Sequence, residues 1–204
     1  MNVLAWDMAE RSAPALVLYA QGRIWSRSWP ATRPPSEELE AMVRALTQAA
    51  GVRLSEISAL VVGVGPGSFT GIRIACAFAS GLALALDVPV HPISSLAITA
   101  AQTGTNGPVL AVADARAGLA YRGVWQGLRC VEEDRCVPIE ETPDRPFAAL
   151  SAPAAWAHLP RLAIARPRTE ALASLIPQAL AEVPPVRFPR PRYLQPSQAE
   201  RDAA

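Results

Sequence analysis

Two aspartates stand where apolar runs stop: Asp7 closes "NVLAWD" and Asp114 closes "VLAVAD". In open α/β sheets the strand ends present polar groups to a cleft, so a facing pair of carboxylates could hold a metal ion and a phosphate there. A nuclease or phosphotransferase would need more carboxylates converging on the same point. The plainer reading of each aspartate is an acceptor for the N–H groups of a turn. A second candidate is "GPGSFTG", Gly65 to Gly71, which leads from an apolar stretch into a helix. Backbone N–H groups at a helix N-terminus favour anions, which makes Gly65, Gly67 and Ser68, with Asp7 and Asp114, candidate contacts for a nucleotide or another anion. The same residues also suit a strand-to-helix corner: Pro66 fixes φ, Gly65 and Gly67 allow unusual backbone angles, and Thr70 can cap the helix. A dinucleotide fingerprint is a poor fit, because from Gly65 the third glycine falls one position late, at Gly71.

Other chemistries lack their parts. All 19 basic residues are arginine, so there is neither a phosphate-loop lysine nor a Schiff-base lysine. His91 and His158 are the only histidines, too few and too far apart for a metal pair or an easily assembled triad. Ser68 sits in G-x-S-x-x rather than a nucleophile elbow and has no evident general base. The cysteines Cys76, Cys130 and Cys136 show no paired-ligand spacing and read as reduced thiols, with no metal site. A formal charge of +1 makes the electrostatic attraction to nucleic acid weak overall. The opening "MNVLAWDMAERS" has no leader pattern, and no apolar run is expected to reach the roughly 18 to 20 residues of a membrane span. A cytoplasmic protein with no membrane contact is expected.

The elements that must position these residues follow from periodicity. "NVLAWDMA", "ALVLYAQG" and "RIWSRSWP" read as a meander of three strands, followed by an amphipathic helix capped by Ser36 and stopped at Gly51. "ISALVVGVG" is a buried strand, Thr70 to Leu86 a helix, "VPVHPIS" a short strand, and Ser95 to Gln102 the start of a third helix. Turn formers cluster at "TGTNGP", and beyond them the pattern restarts with a strand ending in aspartate and a new meander. This indicates two related lobes, residues 1–104 and 105–204. Twelve of the 20 prolines lie from Pro138 onward, so the second lobe should be less regular, with a helix over Arg168 to Glu182 interrupted near Pro177 and an extended tail from Pro184.

The helix after "GPGSF" is apolar almost all round. Ile74, Phe78, Leu82 and Ala85 share one face, expected against the sheet; Arg73, Cys76, Ala77, Ser80 and Leu84 share the other. Small side chains there would let another helix approach closely, so these five are the expected partner contacts. The alternative is that a later segment of the same chain covers them.

These residues resemble the bacterial TsaB family, also called YeaZ. "LAWDMA", "GPGSFTGIRIACAFASGLALAL" and "ISSL" match its first half, "DARAGLAY" its Asp-Ala-Arg segment and "PRYLQP" its C-terminal Tyr-Leu motif. The resemblance implies a two-lobed actin-like, ribonuclease-H-like α/β fold with duplicated lobes. It also implies a noncatalytic scaffold or activator subunit that dimerises with TsaD for threonylcarbamoyl transfer to N6 of an adenosine in tRNA. Further expectations are self-association through the same surface, cooperation with TsaE, tRNA bound only through the complex, and ATP and metal held in the partner complex rather than as intrinsic cofactors. Met8, where the family usually has Thr or Ser, and Gln195, where it usually has Arg, lower the expectation of intrinsic nucleotide binding. The competing reading is a small actin-fold ATPase or phosphotransferase using Asp7 and Asp114; a protease is disfavoured by the lack of a histidine pair.

Overall fold

The structure, a computed structural model, describes residues 1–27, 29 and 35–195. Its first sheet has five strands in the order β3-β2-β1-β4-β5. β1 (Val3–Asp7), β2 (Ala15–Ala20) and β3 (Arg23–Ser26) form the expected antiparallel meander, and β4 (Ala59–Gly63) and β5 (Val90–Ile93) add in parallel beside β1. Side chains alternate across a strand, and both faces of this sheet are covered. Leu4, Trp6, Leu16, Leu18, Leu60 and Val62 point into a core shared with α1 (Pro35–Ala49) and α2 (Phe69–Leu86). Val3, Ala5, Val17 and Val61 point the other way, toward Ile98 of α3 (Ser95–Ala101) and the apolar stripe of α4 (Arg168–Glu182). The side chain of Ser36, the expected cap of α1, lies outside the described residues.

The second sheet, β8-β7-β6-β9, repeats the order of the first four strands of the first. β6 (Val109–Arg116), β7 (Leu119–Gln126) and β8 (Arg129–Pro138) are its antiparallel meander, and the two-residue β9 (Phe147–Ala148) runs parallel to β6. One face carries Phe147 against Trp156, ring edge to ring face at 6.1 Å. The other receives Leu96, Ala97 and Ala100 of α3. Helix α3 is therefore wedged between the sheets, which is why every residue from Ser95 to Ala100 is buried.

The division at residues 104 and 105 does not follow the packing to the end of the chain. α4 returns to the first sheet and buries Ala171, Leu172, Leu175, Ile176 and Ala179 on it. Pro177 does not interrupt the helix; it falls on an exposed position, and the buried stripe on the opposite side holds both halves in one line. From Pro184 the chain runs as an extended strap. Val186 exchanges backbone hydrogen bonds with Val90 at 3.0 and 2.8 Å, and the Arg192 N–H donates to the Val64 carbonyl at 2.8 Å.

The expectation that no apolar run reaches the length of a membrane span is corrected at α2, which is 18 residues long with a mean hydropathy of 1.7, enough by length and composition to cross a bilayer. Its apolar character has a use inside the fold, because Ile72, Ala75, Cys76, Ala79 and Ala83 lie buried as one wall of the core.

Candidate functional site

Asp7 does not open onto a cleft. Its side chain is fully buried, and Arg168 of α4 sends Nε and Nη2 to its Oδ2 at 2.9 and 2.8 Å. Ser95 Oγ donates to the other oxygen, Oδ1. The guanidinium is satisfied on all sides: Nη1 donates to Thr99 Oγ1 at 2.9 Å and Gln102 Oε1 at 3.1 Å, and Nη2 to the Ser95 carbonyl at 2.9 Å. Gly63 makes room for the carboxylate, since a Cβ there would lie 1.9 Å from Oδ1. The expectation that Asp7 contacts a nucleotide is corrected. Helix α4, whose Arg168 lies 161 residues along the chain, closes over the strand end and supplies the cation that the carboxylate meets. Arg168 was missed in the sequence, yet it sits on the same helical stripe as Ala171, Leu172 and Leu175, and an arginine on a buried stripe calls for a carboxylate.

The "GPGSFTG" corner turns its polar groups inward. The Gly65 N–H donates to Ser95 Oγ at 3.0 Å and the Gly65 carbonyl accepts from the Ser95 N–H at 2.9 Å. The Ser68 N–H donates to the Ala9 carbonyl at 2.8 Å. Ser68 rather than Thr70 caps α2: its Oγ accepts from the Gly71 N–H at 3.3 Å and from Arg11 Nε at 3.1 Å. Gly71 is needed for close approach, because a Cβ there would sit 2.0 Å from the Met8 carbonyl oxygen. The glycines seat the corner on the β1–β2 turn, and buried Gly65 is removed from any anion. Gly67 and Ser68 remain on the wall of a cleft between the lobes.

That cleft, about 330 Å³, is bordered by Arg11, Ser68, Asp114, Arg116, Tyr193 and Gln195 among others, and Asp7 is not on its wall. Asp114 is partly exposed and folds onto its own turn, Oδ1 accepting from the Arg116 N–H at 2.9 Å. The two aspartates are therefore not brought together. Across the cleft Ser151 Oγ donates to Glu10 Oε2 at 2.6 Å, and Gln195 Nε2 donates to the Ala115 carbonyl at 2.9 Å and to Tyr121 Oη at 2.6 Å. Gln195 thus ties the strap to the second sheet. Among the described residues no group of three or more His, Cys, Asp or Glu side chains could hold a metal ion.

On α2 the faces are rotated from the expected ones. The small residues Ala75, Cys76, Ala79 and Ala83, with Ile72, face the sheet, where they let the helix backbone come close enough for Trp6 Nε1 to donate to the Ala75 carbonyl at 3.2 Å. Ile74, Phe78 and Leu82 are half-buried on the flanks, Phe78 meeting Trp6 at 5.5 Å, and Ala85 is exposed. Cys76 is corrected from a partner contact to a core residue, only 3% exposed, its thiol pushed up to about 12 by burial and then by the nearby Asp7 carboxylate. Ser80 is half-buried, its hydroxyl donating to the Cys76 carbonyl at 2.8 Å. The expected partner residues Arg73, Ala77 and Leu84 do face solvent, Leu84 at 60% exposure, and Thr70 and Gly81 extend their stripe. Nothing lies within 4 Å of a Cβ placed on Gly81. Arg73, the one charge on the helix, lies over the Phe69 ring at 5.3 Å.

Comparison with known proteins places this geometry. The family described as "TsaD: tRNA N6-adenosine threonylcarbamoyltransferase" matches residues 30–176. The tRNA threonylcarbamoyladenosine biosynthesis protein TsaB of Escherichia coli is 35% identical over 139 residues, 62% of this chain and 59% of that protein. TsaB of Bacillus subtilis is 42% identical over 72 residues, 35% of this chain and 31% of that protein. The matched stretches thus span between about a third and three fifths of those relatives' own length. The solved structure of YeaZ from Pseudomonas aeruginosa superimposes with a TM-score of 0.76 at 31% identity, covering 95% of this chain and 99% of the other. The repeated strand order is that of the two-lobed, ribonuclease-H-like and actin-like α/β fold, and the chain belongs to the TsaB (YeaZ) family, whose named members are tRNA threonylcarbamoyladenosine biosynthesis proteins.

Proposed function

We propose that this chain is a noncatalytic scaffold or activator subunit in tRNA threonylcarbamoyladenosine biosynthesis. It pairs with TsaD, and TsaD holds the ATP and metal and transfers the threonylcarbamoyl group to N6 of adenosine. The observation that carries this reading is the outer stripe of α2: Thr70, Arg73, Ala77, Gly81 and Leu84 face solvent with one charge among them. A helix face that remains in water normally carries more charge, and small side chains flanking an exposed leucine suit close packing of a second helix. The same stripe serves self-association of the free chain. TsaE completes the complex, and tRNA is engaged through the assembly because a chain of net charge +1 holds it weakly alone. The whole is a cytoplasmic assembly. The ATPase or phosphotransferase alternative loses its support at Asp7, whose oxygens are already occupied by Arg168 and Ser95.

The test is to mix the chain with TsaD from the same organism and size the product by light scattering. The expected result is a complex of defined stoichiometry; separate elution of the two proteins at micromolar concentration would contradict the reading.

A further inference from the structure

We propose that the C-terminal strap, residues 184–195, and the apolar cleft beside it form a contact for single-stranded RNA, with an unstacked base seated against Phe188 and adjacent phosphates on Arg187 and Arg190. The strap is held rather than loose. Val186 is paired with Val90 in the first sheet, the Arg192 N–H bonds to the Val64 carbonyl, and Arg192 Nη1 donates to buried Asp134 Oδ2 at 3.1 Å. Pro184, Pro185, Pro189 and Pro191 fix φ along it and remove donors. Between the two anchors Arg187, Phe188 and Arg190 are exposed, Phe188 at 52%.

Behind them lies a cleft of about 610 Å³ between the lobes, walled by Trp125, Leu128, Val183 and Val186 and edged by Phe188 and Arg190. Its two charged wall residues are both arginines. Arg192 is committed to Asp134, whereas Arg190 has no ion-pair partner among the described residues. Arg187 sits over the Phe188 ring at 5.7 Å and lines a separate shallow pocket with Asp87, with which it forms no ion pair among the described residues. No aspartate or glutamate occurs from Val183 to Ala199.

An apolar cavity with Phe188 and Arg190 at its edge, and Arg187 over the same aromatic ring, matches the two halves of one nucleotide, a flat base and a phosphate. An acidic peptide would use the arginines and leave the cavity unused. The inference rests on the tRNA-pathway reading above and adds a surface to it away from α2.

The experiment is fluorescence anisotropy of the full chain with a labelled single-stranded decauridylate at low salt, with a duplex of the same length as comparator. Neutralising about two phosphates on a single strand gives a slope of log K against log salt near −1.4. Phe188→Ala should weaken binding about tenfold through lost stacking. Joint Arg187→Gln and Arg190→Gln substitution should flatten the salt slope, and the remote Arg53→Gln should change neither. Because all these residues are exposed, the melting temperature should stay put. Absence of binding at low salt, equal affinity for duplex, or insensitivity to Phe188→Ala would overturn the proposal. So would strap variants that keep RNA binding and lose TsaD. Pairing with TsaD is measured on the same samples, so failure of wild-type pairing counts against the functional reading and failure of RNA binding against this one.

Discussion

Asp7 and Asp114 occupy the same place in the two lobes, near the end of the first strand of a meander, and they have opposite fates. Asp7 is enclosed by Arg168, Ser95 and the gap left by Gly63, whereas Asp114 is partly exposed on the cleft and bonds to its own turn. The difference comes from α4, which packs on the first sheet and brings Arg168 over the end of β1, whereas Asp114 lines the cleft. A strand-end carboxylate is therefore not a site by position alone. What covers the end decides whether it serves the fold or remains available.

The sharpest way to break this comparison is to remove one partner of the buried pair. Arg168→Met leaves a buried carboxylate uncompensated and should cost about 3 to 5 kcal/mol, read as a lower urea midpoint. Adding Asp7→Asn should recover part of that loss; a double variant as unstable as the sum of the singles would mean that the two side chains act independently. A smaller effect is expected at the thiols. Cys76, buried beside Asp7 with its pKa pushed up to about 12, should resist alkylation at pH 8 in the native protein and react on unfolding, whereas exposed Cys130 labels first. Rapid labelling of native Cys76 would show that the enclosure of Asp7 opens readily. The smallest effect belongs to Asp114→Ala, expected within about 0.5 kcal/mol of wild type because the side chain supports only a local turn.

Much of the fold was legible. Alternating strands, the Gly51 stop and the turn cluster before β6 are local signals, and the structure follows them. The "GPGSFTG" corner was legible as a corner, although its cap is Ser68, because the geometry of capping depends on where the helix axis points. The rotation of α2 was not legible. When nearly every side chain is apolar, the helical wheel gives no strong direction, and the choice falls to the sheet, which accepted the small residues Ala75, Cys76, Ala79 and Ala83 and pushed Phe78 to the flank. The closure of Asp7 was hidden for another reason: its partner lies 161 residues away, and the long-range return of α4 leaves no trace near Asp7. Arg168 on an apolar stripe was the one available sign.

The central claim is that function resides on the outer face of α2 and not in the cleft that holds Asp114. The most direct measurement is reconstituted threonylcarbamoyl transfer to tRNA by TsaD and TsaE with this chain as wild type, Leu84→Arg or Asp114→Ala. Both substitutions are at exposed or partly exposed positions and should leave the melting temperature near wild type. The account predicts that Leu84→Arg lowers pairing with TsaD and transfer at least tenfold, since an unpaired charge placed in an apolar contact costs several kcal/mol, while Asp114→Ala stays close to wild type. Full activity with Leu84→Arg and loss with Asp114→Ala would contradict it and return the function to the cleft.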